Sequence, residues 1–316
     1  VARKSKATKR KQQTEITPRD YRFPGETRIY WGAVFGVVFL FVWLVAMFLF
    51  FKRQPSGLVD PRWAYLFLWP VGSVFLANYL SAKPRVAELK KAGRQARVMA
   101  SNQPELYNAV VHYAQMLGLK KAPDLYIVPD DAAYVFSIPG RPGAIIASRP
   151  LQNALTQEEF LALICRELGA LAAHNVRVGL ALTWIRTANP GFKILCLPLF
   201  LMSLLMGGWE DLAEFTADRA GVLLTSESTM NLALLKLAIA RDPQADITQA
   251  DLEAYLKGTA DISADSKQLE RHFRIGSFIE TQPNLRERIE QIREYRKSAQ
   301  GAAAFEKLAA LRGGAR

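Results

Sequence analysis

The strongest constraint on this chain is a run of 21 residues without a charge, 31–51. At 1.5 Å per residue, a helix of that length crosses the ~30 Å hydrocarbon core of a bilayer. A second uncharged run of 20 residues, 63–82, contains Pro70, which a membrane helix tolerates. Tyr30 and Trp31 stand at one end of the first run, and Lys52 and Arg53 at the other, as interfacial anchors do. The connection 52–62 holds three basic residues. The flanks hold more: nine Lys or Arg before the first run, then Lys83, Arg85, Lys90, Lys91, Arg94 and Arg97 after the second. The positive-inside rule therefore predicts a two-helix transmembrane hairpin, with the N-terminus and main domain on the cytoplasmic side. The membrane is then a bacterial inner membrane or its organellar equivalent. Gly32 and Gly36 form a G-x-x-x-G pair suited to packing against another helix.

Half of the 316 residues are apolar, enough for one sizeable domain beside the hairpin. The net charge of +12 is concentrated at the start, where 1–28 holds nine Lys or Arg against three acidic residues. Because apolar runs follow at once, this patch points to anionic lipid headgroups; for 1–14 a solvated tail is the alternative. No recognition motif accompanies the charge, so nucleic acid is not expected as a partner. Residues 1–14 lack the apolar core of a secretory signal. Cys165 and Cys196 lie among apolar residues and are expected to be buried and reduced.

The chemistry-bearing stretch is 156–177, which reads as one helix. Thr156 is an N-cap and Glu159 completes a capping box. Leu161, Ile164, Cys165, Leu168 and Leu171 recur at helical spacing and face a core. On this helix lies Arg166-Glu167-Leu168-Gly169-Ala170. In H-E-x-x-H, two histidines one turn apart hold zinc and the Glu activates the metal-bound water. Here Glu167 stands in place, but Arg166 and Ala170 occupy both histidine positions, and neither side chain binds zinc. His174 lies four residues beyond Ala170, on the same face of such a helix. A displaced site built from His174, Glu167 and Glu214 would leave no free general base, so His174 reads as a residue packing or capping near the helix end. No G-x-S-x-G, phosphate loop or dinucleotide fingerprint replaces the lost chemistry.

Three further stretches carry a resemblance. Glu214-Phe215-Thr216-Ala217-Asp218-Arg219-Ala220-Gly221 resembles the E-x-x-A-D-x-x-G helix of HtpX-like membrane zinc metallopeptidases. Pro104-Glu105-Leu106-Tyr107 through Gly118-Leu119 resembles that family's helix before the first strand. Thr281-Gln282-Pro283, followed by Leu285-Arg286-Glu287-Arg288-Ile289, resembles its closing T-H-P…ERI segment, with Gln282 at the His position. The resemblance runs from about 104 to 295. It implies a zincin-like fold, Glu214 at the position of the third zinc ligand and Asp218 at that of a supporting carboxylate. The strand after the 139–143 turn would lie near a cleft that takes extended peptide.

The rest of the chain reads as a basic linker 86–101, a helix 105–117, a strand 124–128 and a hairpin of strands 133–138 and 143–147. An apolar run 194–206, at 13 residues shorter than a membrane span, lies at the membrane interface, caps a groove or is buried. Helices follow at 211–224, 231–240 and 284–298. Residues 245–268 are polar, and neither His112 nor His272 has a partner motif. The fold class is thus mainly helical α+β: a basic tail 1–29, a transmembrane hairpin 30–82, a zincin-like domain 83–298 and a tail 299–316. The degenerate positions Arg166, Glu167, Ala170, Glu214 and Asp218 predict no catalysis, no metal and no cofactor. The expected function is that of a membrane-anchored pseudopeptidase, acting as scaffold, adaptor or regulatory subunit among other membrane proteins. The alternative is an active zinc endopeptidase with an atypical site. Losing a metal between Glu167 and Glu214 would strand like charges, so Arg166 is expected to pair with Glu214, and also with Glu167. Otherwise Arg166 reaches solvent and Glu214 pairs with Arg219 or water.

Overall fold

The computed structural model describes residues 15–51, 72, 96–140, 142–241 and 285–313. In chain order the elements are α1 (Pro18–Tyr21), α2 (Glu26–Phe51), α3 (Pro104–Met116), β1 (Asp124–Val128), β2 (Val135–Ile138), β3 (Ala144–Ser148) and α4 (Arg149–Ala154). Then come α5 (Gln157–Ala172), α6 (Asn175–Thr187), α7 (Pro190–Leu195), α8 (Leu197–Leu205), α9 (Gly207–Leu224), α10 (Glu227–Arg241), α11 (Leu285–Lys297) and α12 (Ala299–Gly313). The result is a mainly helical α+β fold with one small sheet.

The sheet has the order β1-β3-β2. β2 and β3 form the expected antiparallel hairpin, with Phe136 opposite Ile146. β1 pairs with β3 in parallel, with Leu125 opposite Ile145. The middle strand is buried along its whole length, which suits Ala-Ile-Ile-Ala. Beneath lies α5, packed against β2, α3, α9 and α10. Its capping box forms as expected: Thr156 Oγ1 accepts from the Glu159 amide at 3.3 Å, and Glu159 Oε2 accepts from the Thr156 amide at 2.8 Å. Lys236 on α10 closes on Glu159 at 2.8 Å.

α5 stops at Ala172, not near 177. His174 takes a left-handed conformation (φ +64°), and the chain turns 87° into α6. His174 therefore leaves the α5 face and is exposed, so it does not continue the 166–170 stripe. His112 on α3 is also exposed.

α5 and α9 make the closest approach in the core. A Cβ on Gly169 would lie 2.2 Å from the Ala220 Cβ, so only glycine fits. One turn pair away, a Cβ on Gly221 would sit 3.4 Å from the Ala162 carbonyl oxygen. Small residues on both helices bring the backbones together and set Arg166 opposite 214 and 218.

Two boundaries drawn from charge and composition are corrected. Residues 15–29 do not form a tail apart from the domain: Ile16 and Tyr21 are buried in the main core. The Tyr21 hydroxyl donates to the Gly169 carbonyl at 3.1 Å, and the Phe23 amide donates to Thr216 Oγ1 at 2.9 Å. Arg22 donates to the Ala173 carbonyl at 2.9 Å, a cation at the C-terminus of α5. Basic residues dominate this stretch by number, while Ile16, Tyr21 and Phe23 decide its position by burial. Likewise 299–313 is a packed helix, with Ala304 and Leu308 buried and Lys307 held on Asp20 at 2.7 Å.

The first uncharged run forms α2, whose side chains are described to Phe39 and at Val42. Among the described residues, no single helix is long and apolar enough to cross a membrane. The bent pair α5–α6 has the length and composition, but α5 is largely buried inside the domain. A transmembrane hairpin is not shown, since 63–82 lies outside the described residues apart from Gly72. The linker 86–95 and residues 242–284, with His272 and Gln282, lie outside them as well.

Gly169→Ala should force α5 and α9 apart and destabilise the protein by about 1–3 kcal/mol, the usual cost of overpacking. Chemical unfolding of the purified chain measures it, with Gly179→Ala as the control, since nothing lies within 4 Å of a Cβ there.

Candidate functional site

The five motif positions lie on two facing helices. α5 presents Arg166, Glu167 and Ala170; α9 presents Glu214 and Asp218, one turn apart on one face. The structure brings the four charged residues together around one guanidinium. Arg166 Nε donates to Asp218 Oδ1 at 2.9 Å. Arg166 Nη1 donates to Glu167 and Arg166 Nη2 donates to Glu214, both in close contact. Ala170, on the same helix, is partly buried. The expected Arg166–Glu214 pair is therefore present, with Glu167 added. Arg219 does not pair with Glu214: its guanidinium lies between the rings of Phe23 and Tyr295, 4.3 and 4.9 Å from their centroids.

A second arginine, not singled out from sequence, completes the network. Arg288 on α11 grips Asp218 with two prongs: Nε to Oδ2 at 2.7 Å and Nη2 to Oδ1 at 2.6 Å. Its Nη2 also stands 3.9 Å from Glu214 Oε2. The signal was in the sequence. Leu285, Arg288, Ile289, Ile292 and Tyr295 share the buried face of α11. A charge on an apolar stripe must find a buried partner.

The cluster is buried except at one edge. Arg166, Glu167, Asp218 and Arg288 are all buried, while the Glu214 side chain retains 28% of its exposure. Burial alone would raise the Asp218 carboxyl. The charges and hydrogen bonds of Arg288 and Arg166 outweigh it and hold that carboxyl below its ordinary value. At the solvent edge, burial together with Glu287 and Glu210 pushes Asp211 up to about 6. Cys165 is buried on the far side of α5, with its thiol pushed up by desolvation and so unreactive.

This donor set does not fit zinc. Arg166 and Ala170 stand at the two histidine positions, and the Arg166 guanidinium takes an oxygen of each of Glu167, Glu214 and Asp218. Glu167, the position of a general base, is spent: one oxygen faces Arg166, and the other accepts from Ser137 Oγ on β2 at 2.8 Å. Among the described residues, no group of three or more His, Cys, Asp or Glu is disposed to hold a metal ion.

Residues 100–296, from the turn before α3 to the end of α11, match the model of peptidase family M48. This is more than half of the 316 residues. The chain belongs to peptidase family M48. The HtpX-like resemblance is thereby borne out over the same elements. The M48 chain is also 30% identical to plastoglobule-localized metallopeptidase 48, chloroplastic, of Arabidopsis thaliana over 190 residues, which are 56% of this chain and 52% of that protein. It thus spans about half the length of that curated relative. No solved structure matches.

Arg166→Ala should strand Glu167 and Glu214 and cost about 3–5 kcal/mol of stability, as breaking a buried pair does. Adding Glu214→Gln should recover part of the loss, because one stranded charge is removed. Unfolding curves of the parent, the single and the double variant check this. The same network sets an acid limit. The folded-state pKa of Asp218 lies below its unfolded value, so its stabilisation is present above the unfolded pKa and is lost as pH falls through the folded one.

Proposed function

We propose that this M48 chain is a membrane-anchored pseudopeptidase that works by binding, as a scaffold, adaptor or regulatory subunit of a membrane protein complex. One observation carries the reading: the Arg166 guanidinium pairs with Glu167, Glu214 and Asp218 where a peptidase of this family would need a metal. A metal-bound water and a free carboxylate base are the two things a zinc hydrolase must assemble. Here the first has no ligand set and the second is hydrogen-bonded on both oxygens. The Arabidopsis relative is named a metallopeptidase; that activity does not carry over to these positions.

What supports binding is the sheet edge. Among the described residues β2 is an outer strand, and Ser137 on it reaches into the charge cluster. An extended chain added to such an edge gains main-chain hydrogen bonds without any chemistry. The membrane part of the proposal is supported by the uncharged run 31–51 and by the basic flanks, which favour the cytoplasmic side for the domain. The basic residues of 1–14 then meet anionic headgroups, each worth about 1 kcal/mol near such a surface.

Elemental analysis of the gently purified full chain tests the pseudoenzyme reading. We expect well under one zinc per chain, with no further loss in Glu214→Gln. One zinc per chain, lost in that variant, would overturn it.

A further inference from the structure

The exposed large apolar side chains are not scattered. Ile29, Trp31, Phe35, Val38, Phe39 and Val42 lie on α2; Phe192, Ile194, Leu204 and Leu205 lie on the α7–α8 segment; only Met99 and Tyr107 lie elsewhere among the described residues. The two groups form one surface. A Cβ on Gly36 would sit 3.9 Å from Leu205 Cδ1, so the glycine face of α2 meets the end of α8 inside this chain. Behind the contact lies a separate core, where Ala33 packs with Leu182, Ile185, Cys196, Leu199 and Trp209. The start of α2 and the α7–α8 segment therefore pack on one core and present exposed apolar side chains on its outside.

We infer that α7 and α8 are a second membrane-contact element, lying in the bilayer interface beside α2 without crossing it, and that lipid acyl chains cover this face. The inference deepens the anchoring part of the proposed function and rests on it. Four observations favour lipid over a protein partner. The patch continues without a break into the uncharged run that ends at 51, so whatever surrounds that run also reaches the patch. Residues 188–209 hold one charge, Lys193, whose ammonium stands 5.7 Å from the centre of the Phe200 ring. A single lysine suits an interfacial segment, because its long stem lets the charged head reach the headgroups. Aromatic rings gather at the same level: Tyr30 lies against both Trp31 and Trp209, at 5.4 and 6.1 Å. Such rings favour the headgroup boundary. The depth is also consistent. Gly36 lies five residues beyond Trp31, about 7 Å along the helix. With Trp31 at the boundary, Leu204 and Leu205 reach the depth of roughly 5–10 Å at which interfacial helices lie. α8 leads through Met206 directly into α9, so Glu214 lies about 10 Å along that helix from its start at Gly207.

Leu205→Cys and Ile194→Cys, each replacing an exposed side chain, can be labelled with an environment-sensitive fluorophore while the buried Cys165 and Cys196 stay unlabelled. Tyr107→Cys is the control away from the patch. The full chain is reconstituted into phosphatidylcholine–phosphatidylglycerol vesicles, recovered by flotation and probed with nitroxides on the acyl chain and with aqueous iodide. Both patch labels should lose emission to acyl-chain nitroxide and not to iodide, and the control should do the reverse. Quenching of the patch labels by iodide in floated vesicles would overturn the inference alone. So would protection from both quenchers, which would mean that a second copy or another protein covers the face. Failure of the protein to float with the vesicles would overturn the anchoring reading itself.

Discussion

One guanidinium organises the middle of this molecule. Arg166 is buried between two helices and a strand-facing carboxylate, and its three nitrogens address Asp218, Glu167 and Glu214 separately. A buried charge of this kind is tolerated only when its partners are fixed in advance. Arginine suits the task where lysine would not, because its planar fork reaches several carboxylates at once and stays charged when dry. Arg288 adds the second positive charge, so three carboxylates face two guanidiniums. The cluster ties α5, α9 and α11 together from elements distant in sequence.

That geometry depends on how closely the helices approach. Gly169 against Ala220, and Ala162 against Gly221, let α5 and α9 run almost in backbone contact. The segment before α2 reinforces the same place: Tyr21 bonds to the Gly169 carbonyl, and Phe23 is held by Thr216, two residues from Glu214. Phe23 also forms one wall of the slot for Arg219. The base of α2 is thus fastened to the charge cluster by direct contacts, and the apolar face formed by α2 and α8 is fastened with it.

Much of this was legible in the residues. The capping box at Thr156 and Glu159, the 133–147 hairpin and the α9 helix follow from local patterns, and local patterns are what short-range physics writes into sequence. The Arg166–Glu214 pair followed from the need to balance Glu214 and Glu167 where Arg166 and Ala170 stand at the two histidine positions. The parallel pairing of β1 with β3 did not follow, because nothing local specifies which strand lies in the middle. The turn at His174 was hidden because Ala173-His174-Asn175 carries neither glycine nor proline, and a left-handed histidine is set by packing on either side. The N-terminal strap was hidden by its charge, although three apolar residues among the basic ones decide its position. Arg288 was in plain view on an apolar stripe and needed only to be asked for its partner.

We propose that the guanidinium network, and no metal, is the source of cohesion at this centre. Thermal unfolding of the full chain in excess chelator and in excess zinc tests it directly, because any metal bound by the folded state alone raises the melting temperature by mass action. The account predicts superimposable melting curves in buffer, chelator and zinc, with a lower melting temperature for Arg166→Ala in all three. A melting temperature that falls with chelator and returns with zinc would contradict it.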